Sequence, residues 1–117
     1  MDARNGRVAV EGWVHLSELE PVEFAVALRD DRDLAARLAA LLYTDVGRDG
    51  TGQGPNVEAT TELARAANVP VIASGGVARL DDLTRLAAVP GVVGCVVGHA
   101  LYTGAIDLAE AQRELAK

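Results

Sequence analysis

The chain has 117 residues, of which 50% are hydrophobic and 24% are charged, a composition expected of a soluble globular domain. Its 17 acidic and 11 basic side chains leave a net charge of −6, so neither nucleic acid nor an anionic membrane surface is expected as a partner. No membrane-spanning run or secretory leader is visible, and the one cysteine, Cys95, excludes an internal disulfide and a cysteine-rich metal site. The expected compartment is the reducing cytoplasm.

The first third of the chain combines a turn signal with helix-forming sequence. Asn5-Gly6 is typical of a tight turn, so residues 7–13 are expected to form a short strand or one arm of a hairpin. Ser17 is predicted to cap a helix that continues to about residue 40. An acidic pair, Asp30-Asp31, is expected to break that helix.

Three short apolar runs follow, and each is predicted to form a buried strand: residues 40–46, 69–74 and 91–97. Helical sequence comes after each run, and Asn56 and Asp107 are predicted helix caps. Because the runs are continuously apolar rather than alternating, the strands are expected to lie in a parallel sheet that is covered by helices. The sequence therefore predicts an α/β fold.

Small and polar residues are concentrated directly after the predicted strands. They are Thr44 to Thr51 with Gly54-Pro55-Asn56, then Ser74-Gly75-Gly76, then Gly98-His99. In parallel α/β folds, ligands bind at the carboxyl ends of the strands. A glycine turn that opens a helix lets a phosphate approach free backbone N–H groups, although a single Gly-Gly turn is more often a plain connection. Two such turns after adjacent strands favour a phosphate site.

Candidate acid–base groups lie in the first of these loops. Asp49 follows a strand end in a glycine-rich stretch, where a carboxylate can donate or accept a proton. A structural turn aspartate before glycine is the alternative. Thr44 and Asp45 stand at the strand end, where either residue orients a substrate or makes a structural hydrogen bond. His15 and His99 have no companions at ligand spacing, so no metal site is expected.

These motifs resemble the phosphoribosyl isomerases of histidine biosynthesis, namely the ProFAR isomerases and their bifunctional relatives that also isomerise phosphoribosylanthranilate. The resemblance rests on these segments in this order: Tyr43-Thr44-Asp45, Arg48 to Thr51, Gly54-Pro55-Asn56, Ala73 to Val77, and Gly98 to Tyr102. Residues 2–13, which include Gly12-Trp13, are similar to the family segment that follows the fifth barrel strand. The match runs over most of the chain.

The resemblance implies a TIM (βα)8 barrel of which this sequence covers the second half. The expected domain is a single (βα)4-like half-barrel over residues 1–117, with a strand remnant and loop in 1–16 and three βα units in 40–117. The family rearranges an aminoaldose into an aminoketose, an Amadori isomerisation that uses no metal and no cofactor. The aspartate that acts as general base in the family's first half has no counterpart in this sequence.

The resemblance also implies roles for individual residues. Asp49 matches the general acid of the second half, Asp2 matches another active-site aspartate, and Thr44 matches a threonine at the end of strand six. One substrate phosphate is expected at a site formed by Ser74, Gly75, Gly76, Gly98 and His99. His99 is a departure, because the family usually has arginine or lysine there. Trp13 matches a tryptophan that stacks on substrate in some relatives; covering the barrel mouth is its structural alternative.

A half-barrel leaves one face of its sheet without the other half. That face is expected to expose Leu42, Val71, Val96 or their neighbours, so a homo-oligomer or a complex with a complementary half-barrel is expected. Three functions stay open: a half-barrel that binds phosphate or a phosphorylated sugar but is inactive alone, an isomerase assembled with a first-half chain, and a self-associating structural or engineered fragment without ligand.

Overall fold

The structure, a computed structural model, describes residues 1–4, 7–10, 15–16, 20–48 and 54–116. The strands in this part of the chain are β1 (Asp2–Arg4), β2 (Arg7–Val10), β3 (His15–Leu16), β4 (Leu41–Asp45), β5 (Val71–Ser74) and β6 (Val92–Cys95). They form one sheet with the order β3-β2-β1-β4-β5-β6. Each of the three predicted apolar runs therefore contains a strand, although the strands are shorter than the runs.

Four neighbouring strands of the sheet run parallel. β1 pairs with β4, β4 with β5, and β5 with β6, which confirms the predicted parallel α/β fold. On its other side β1 pairs antiparallel with β2, with Arg4 opposite Arg7. This register is that of the expected hairpin, whose Asn5-Gly6 turn lies outside the described residues.

The helices in the described residues are α1 (Pro21–Asp30), α2 (Arg32–Arg37), α3 (Val57–Ala67), α4 (Leu80–Ala87), α5 (His99–Thr103) and α6 (Leu108–Leu115). The prediction that the first helix starts at Ser17 is wrong, because α1 begins at Pro21 with Glu20 as its N-cap. Proline suits the first helical position, where its fixed φ helps and its missing N–H costs nothing. None of these helices is long and apolar enough to cross a membrane.

The core lies on the face of the sheet that the helices cover. One cluster joins β1, β4 and β5 to α1 and α3; its buried residues are Ala3, Ala25, Leu41, Tyr43, Leu63, Ala64, Ala67, Val71 and Val89. A second cluster joins β5 to α4, α5 and α6; its buried residues are Ala73, Val77, Leu83, Leu86, Ala100, Ile106 and Ala111. The helices therefore cover one side of the sheet, as they do in a barrel.

The opposite face of the sheet exposes apolar side chains. Leu42 is 46% exposed and Val96 is 48% exposed, as expected for the inner face of a barrel that lacks its other half. The expectation that Val71 lies on this face is wrong, since Val71 is fully buried. Val71 is in register with Leu41, and side chains in register share one face of the pleat, here the face beneath the helices.

Candidate functional site

Three of the predicted site residues form a row across adjacent strands. Asp2 of β1 lies opposite Thr44 of β4, and Thr44 lies opposite Ser74 of β5. Side chains two residues apart on a strand share a face, so Thr44 lies on the same face as the exposed Leu42. The row therefore runs along the inner face, near the carboxyl ends of β4 and β5.

The residues predicted to bind phosphate line a single cleft. The cleft has a volume of about 270 Å³, and its lining includes Ser74, Gly75, Gly76, Gly98 and His99, together with Val77, Ala78, Val96, Ala100, Thr103 and Ala105. Clefts for drug-sized ligands hold about 300–1,000 Å³. This cleft therefore suits one small group better than a large ligand.

The glycines of the cleft differ in what surrounds them. Gly75 and Gly76 have φ angles of +99° and +85°, and a Cβ on them would collide with the backbone carbonyls of Asp45 and Gly54 respectively. Gly98 has a φ of −118°, and a Cβ there would meet no atom within 4 Å. The Gly75-Gly76 turn is thus packed tightly against the preceding loop, while Gly98 borders open space.

The lining of the cleft includes three residues with polar side chains, Ser74, His99 and Thr103. Among the side chains that line it in the described part of the chain, only His99 can carry a positive charge. No described residue accepts a hydrogen bond from the backbone N–H of Gly76, Val77 or His99. Backbone N–H groups of this kind bind anions without help from charged side chains. The cleft therefore offers donors to an anion but little positive charge.

Backbone N–H groups at the beginning of α4 are expected to be free for an anion, but two of them are already bound. The Asp82 carboxylate accepts hydrogen bonds from the backbone N–H groups of Ala78 and Arg79, at 2.9 and 3.0 Å. Its side chain is 1% exposed and also pairs with Arg85. Burial raises the pKa of Asp82, but the hydrogen bonds from Ala78, Arg85 and Arg79 outweigh burial and hold that pKa below its ordinary value. Asp82 thus occupies the position that an anion would take at this helix.

Sequence reasoning missed Asp82 as part of the site. Asp81 and Asp82 both stand in the first turn of α4, where the helix dipole favours any acid. That general explanation fits both residues equally, so it does not indicate that one carboxylate is buried and the other is exposed. In a capping box, the side chain three residues after the N-cap accepts a hydrogen bond from the N-cap backbone N–H. Arg79 and Asp82 have this spacing and make this bond, so the spacing is the sequence signal that could have identified Asp82.

Side chains hold the two ends of the loop that contains Asp49. The Oδ2 atom of Asp45, at the end of β4, accepts a hydrogen bond from the Asn56 side chain at 3.0 Å. The guanidinium of Arg48 donates to the backbone carbonyl of Gly54 at 3.3 Å. Asn56 is also the N-cap of α3, as predicted, and accepts from the backbone of that helix. Side-chain hydrogen bonds therefore hold the residues before the loop, Asp45 and Arg48, to the residues after it, Gly54 and Asn56.

Tyr43 supports this region from the core side. It is almost fully buried, and burial, together with the negative charges of Asp45 and Glu62, raises the pKa of its hydroxyl to about 12, while Arg48 opposes the shift. The phenol therefore stays protonated at neutral pH, and its contribution is to pack β4 against the helices.

Asp49 and Trp13 lie outside the described residues, so their roles stay predictions. Within the described part of the chain, no group of three or more histidine, cysteine, aspartate or glutamate side chains is arranged to hold a metal ion.

Comparison with known proteins identifies the family. A family model described as "Histidine biosynthesis protein" matches residues 1–107. The chain belongs to this family. Its α/β fold, with parallel strands and helices on one face, is that of half of the family's TIM barrel.

Individual members of the histidine biosynthesis family are close in sequence. The phosphoribosyl imidazole-4-carboxamide isomerase of Thioalkalivibrio sulfidiphilus is 51% identical over 115 residues, which cover 97% of this chain and 46% of the relative. The isomerase of the same name from Sorangium cellulosum is 55% identical over 111 residues, 95% of this chain and 44% of the relative. The isomerase of the same name from Halorhodospira halophila is 53% identical over 114 residues, which cover 97% of this chain and 44% of the relative. These similarities confirm the resemblance to ProFAR isomerases, and the chain spans about half the length of the curated relatives it matches.

Proposed function

We propose that this chain is the half of a phosphoribosyl isomerase barrel that binds one phosphate of the substrate and supplies the general acid. The observation that carries the proposal is the cleft, because the residues assigned to phosphate from two separate motifs, Ser74 to Gly76 and Gly98 to His99, line one cavity. The names of the relatives describe a compound with two phosphoribosyl groups, and this cleft has room for one of its phosphates.

The row of Asp2, Thr44 and Ser74 supports a position for the sugar. A phosphate anchored beside Ser74 leaves the attached sugar on the inner face, next to Thr44 and then Asp2. Neighbouring strands are about 4.8 Å apart, so the row from Ser74 to Asp2 covers about 10 Å. That is on the scale of one phosphorylated sugar.

The proposed reaction needs two proton transfers, and the resemblance assigns only one of them to a residue of this chain. The Amadori rearrangement takes a proton from a sugar carbon and gives a proton to the ring oxygen as the ring opens. Asp49 is assigned the second task, as general acid. Asp2 is the other carboxylate that the resemblance places in the active site, but it does not match the family's general base. Each positioned acid or base contributes roughly 10²–10⁴-fold, so the chain alone is expected to have no measurable isomerase activity.

A second copy or a complementary half-barrel is the proposed partner. The inner face carries the exposed side chains of Leu42 and Val96, and burying apolar surface is worth about 25 cal/mol per Å². In a complete barrel the same face would be packed, and the first half would bring a base opposite Asp49. An isomerase assembled from this chain and a first-half chain is therefore the second candidate, favoured by the exposed apolar side chains of the inner face.

Turnover separates the two candidates. We expect the 117-residue chain to convert no ProFAR alone. In the second candidate, activity appears when a first-half chain from one of the relatives is added, and the Asp49→Asn variant abolishes it. Asp31→Asn is the charge-matched control, because it removes one negative charge from an exposed side chain that has no part in the proposed reaction. Turnover by the chain alone that survives Asp49→Asn would overturn the assignment of Asp49.

A further inference from the structure

Asp82 is a buried carboxylate to which the proposed reaction assigns no part. It contacts the end of the phosphate turn, defined as residues 75–78, which line the cleft. Its Oδ2 atom holds the backbone N–H of Ala78, the last residue of that turn, and the N–H of Arg79 next to it. The conformation of the phosphate turn is therefore tied to this one side chain at its helix end.

The same carboxylate faces the end of the loop that contains Asp49. A Cβ placed on Gly54 would lie 3.6 Å from Oδ1 of Asp82 and 3.7 Å from Nη2 of Arg85. Gly54 also contacts the phosphate turn directly, since its carbonyl leaves no room for a side chain at Gly76. Asp82 therefore lies where the two parts of the proposed site meet.

We propose that Asp82 is a positioning residue that holds the phosphate turn against Gly54 and so sets the backbone N–H groups of the cleft for phosphate. The inference rests on the proposed function, because it concerns the same phosphate cleft. Asp82 touches neither the cleft's interior nor any reacting atom; it acts through Ala78 and Gly54. The Arg85 guanidinium balances the charge of the carboxylate, which keeps that charge from repelling the phosphate.

Three roles for Asp82 give three different results in the Asp82→Asn variant. If Asp82 positions the turn, losing its charge weakens the hydrogen bonds to Ala78 and Arg79, and phosphate affinity falls. If only its charge mattered, removing a negative charge beside the cleft would raise phosphate affinity. If it served only to cap α4, stability would fall and phosphate affinity would stay the same.

The experiment is a titration of the 117-residue chain with inorganic phosphate, followed by the amide resonances of Gly75 and Gly76. We expect Asp82→Asn to weaken binding about fivefold or more, the effect of one good hydrogen bond. The matched control is Asp81→Asn, which removes the same charge from the same helical turn at a side chain that is 70% exposed. We expect that control to change phosphate affinity less than about twofold.

Equal or tighter phosphate binding by Asp82→Asn would overturn the inference and leave the proposed phosphate site intact. Failure of the wild-type chain to bind phosphate would overturn both. A second measurement keeps the inference testable if Asp82→Asn does not fold. In the wild-type chain, phosphate should shift the amide resonance of Gly54, which lies outside the cleft lining, whereas an unshifted Gly54 would contradict the coupling.

Discussion

Gly76 packs directly against the backbone carbonyl of Gly54, so closely that a Cβ on residue 76 would overlap that carbonyl. The two glycines belong to consecutive strand-to-helix connections, one ending the loop that contains Asp49 and the other forming the phosphate turn. Their contact is the point at which the proposed acid and the proposed phosphate site are joined. A side chain at residue 76 would therefore push the two loops apart.

The first prediction concerns stability at this contact. Gly76 has a φ of +85°, and an alanine forced into such a conformation, in addition to the collision with Gly54, should lower the free energy of unfolding by about 1–3 kcal/mol. Urea denaturation measures the change. Gly94→Ala is the control, because a Cβ on Gly94 meets nothing within 4 Å. Equal stability of the two variants would contradict the packing described for Gly76.

The second prediction concerns the open side of the cleft. Gly98→Ala adds a methyl group where no atom lies within 4 Å, so it should fill part of the cleft without displacing a neighbouring loop. We expect weaker phosphate binding with little loss of stability, measured by titration and by urea denaturation of the same samples. Gly94→Ala, whose methyl group lies outside the cleft, should bind phosphate like the wild type. Unchanged phosphate affinity in Gly98→Ala would remove Gly98 from the site.

The third prediction concerns His99. Because the proposed site consists mainly of backbone N–H groups, removing the His99 side chain should weaken phosphate binding only slightly, by less than about fivefold. The backbone N–H of residue 99 remains in His99→Ala. The wild type and Gly98→Ala are the two reference proteins for this measurement. Complete loss of phosphate binding in His99→Ala would mean that the imidazole, and not the backbone, holds the anion.

The fourth prediction concerns acid stability. The folded chain holds the pKa of Asp82 below its ordinary value of 3.8, so this group stabilises the fold above that pH. The contribution is lost as the pH falls through the lower pKa of the folded state. Acid denaturation followed by circular dichroism should therefore be less steep in Asp82→Asn than in the wild type. An Asp82→Asn variant that keeps the wild-type slope would contradict the role given to this carboxylate.

The fifth prediction concerns the inner face of the sheet. Replacing Leu42 and Val96 by asparagine should shift the chain towards monomer in sedimentation experiments, because their exposed side chains are proposed to be buried between copies. Leu108→Asn changes a leucine of α6 that is 58% exposed and should leave the association unchanged. A wild-type chain that sediments as a folded monomer at micromolar concentration would contradict the proposed association.

The order of strands and helices could be predicted from the sequence because each strand is a continuous apolar run between glycine-rich loops. The positions of Ser74, Gly76 and Gly98 in one cleft could also be predicted, since parallel strands bring the loops that follow them to one edge. The side of the sheet on which Val71 lies could not be predicted, because a run that is apolar throughout has no alternation to mark its two faces. The register with Leu41 shows that Val71 lies on the face beneath the helices.

The part played by Asp82 could not be predicted for a related reason. Two adjacent aspartates at the start of a helix look the same in sequence, and which of them is buried depends on the rotation of the helix about its axis. That rotation is set by Leu83 and Leu86, which pack into the core. The same rotation turns Asp82 towards Ala78 and Gly54, and leaves Asp81 in solvent.

The proposed phosphate cleft is best tested by a phosphate titration of the isotope-labelled 117-residue chain, followed at every assigned backbone amide. We expect saturable shifts concentrated at residues 75–77 and 98–100, the two segments that line the cleft, with sulfate competing and chloride having no effect. Absence of saturable shifts, or shifts at the backbone amides of surface arginines with the cleft amides unchanged, would contradict the proposed site.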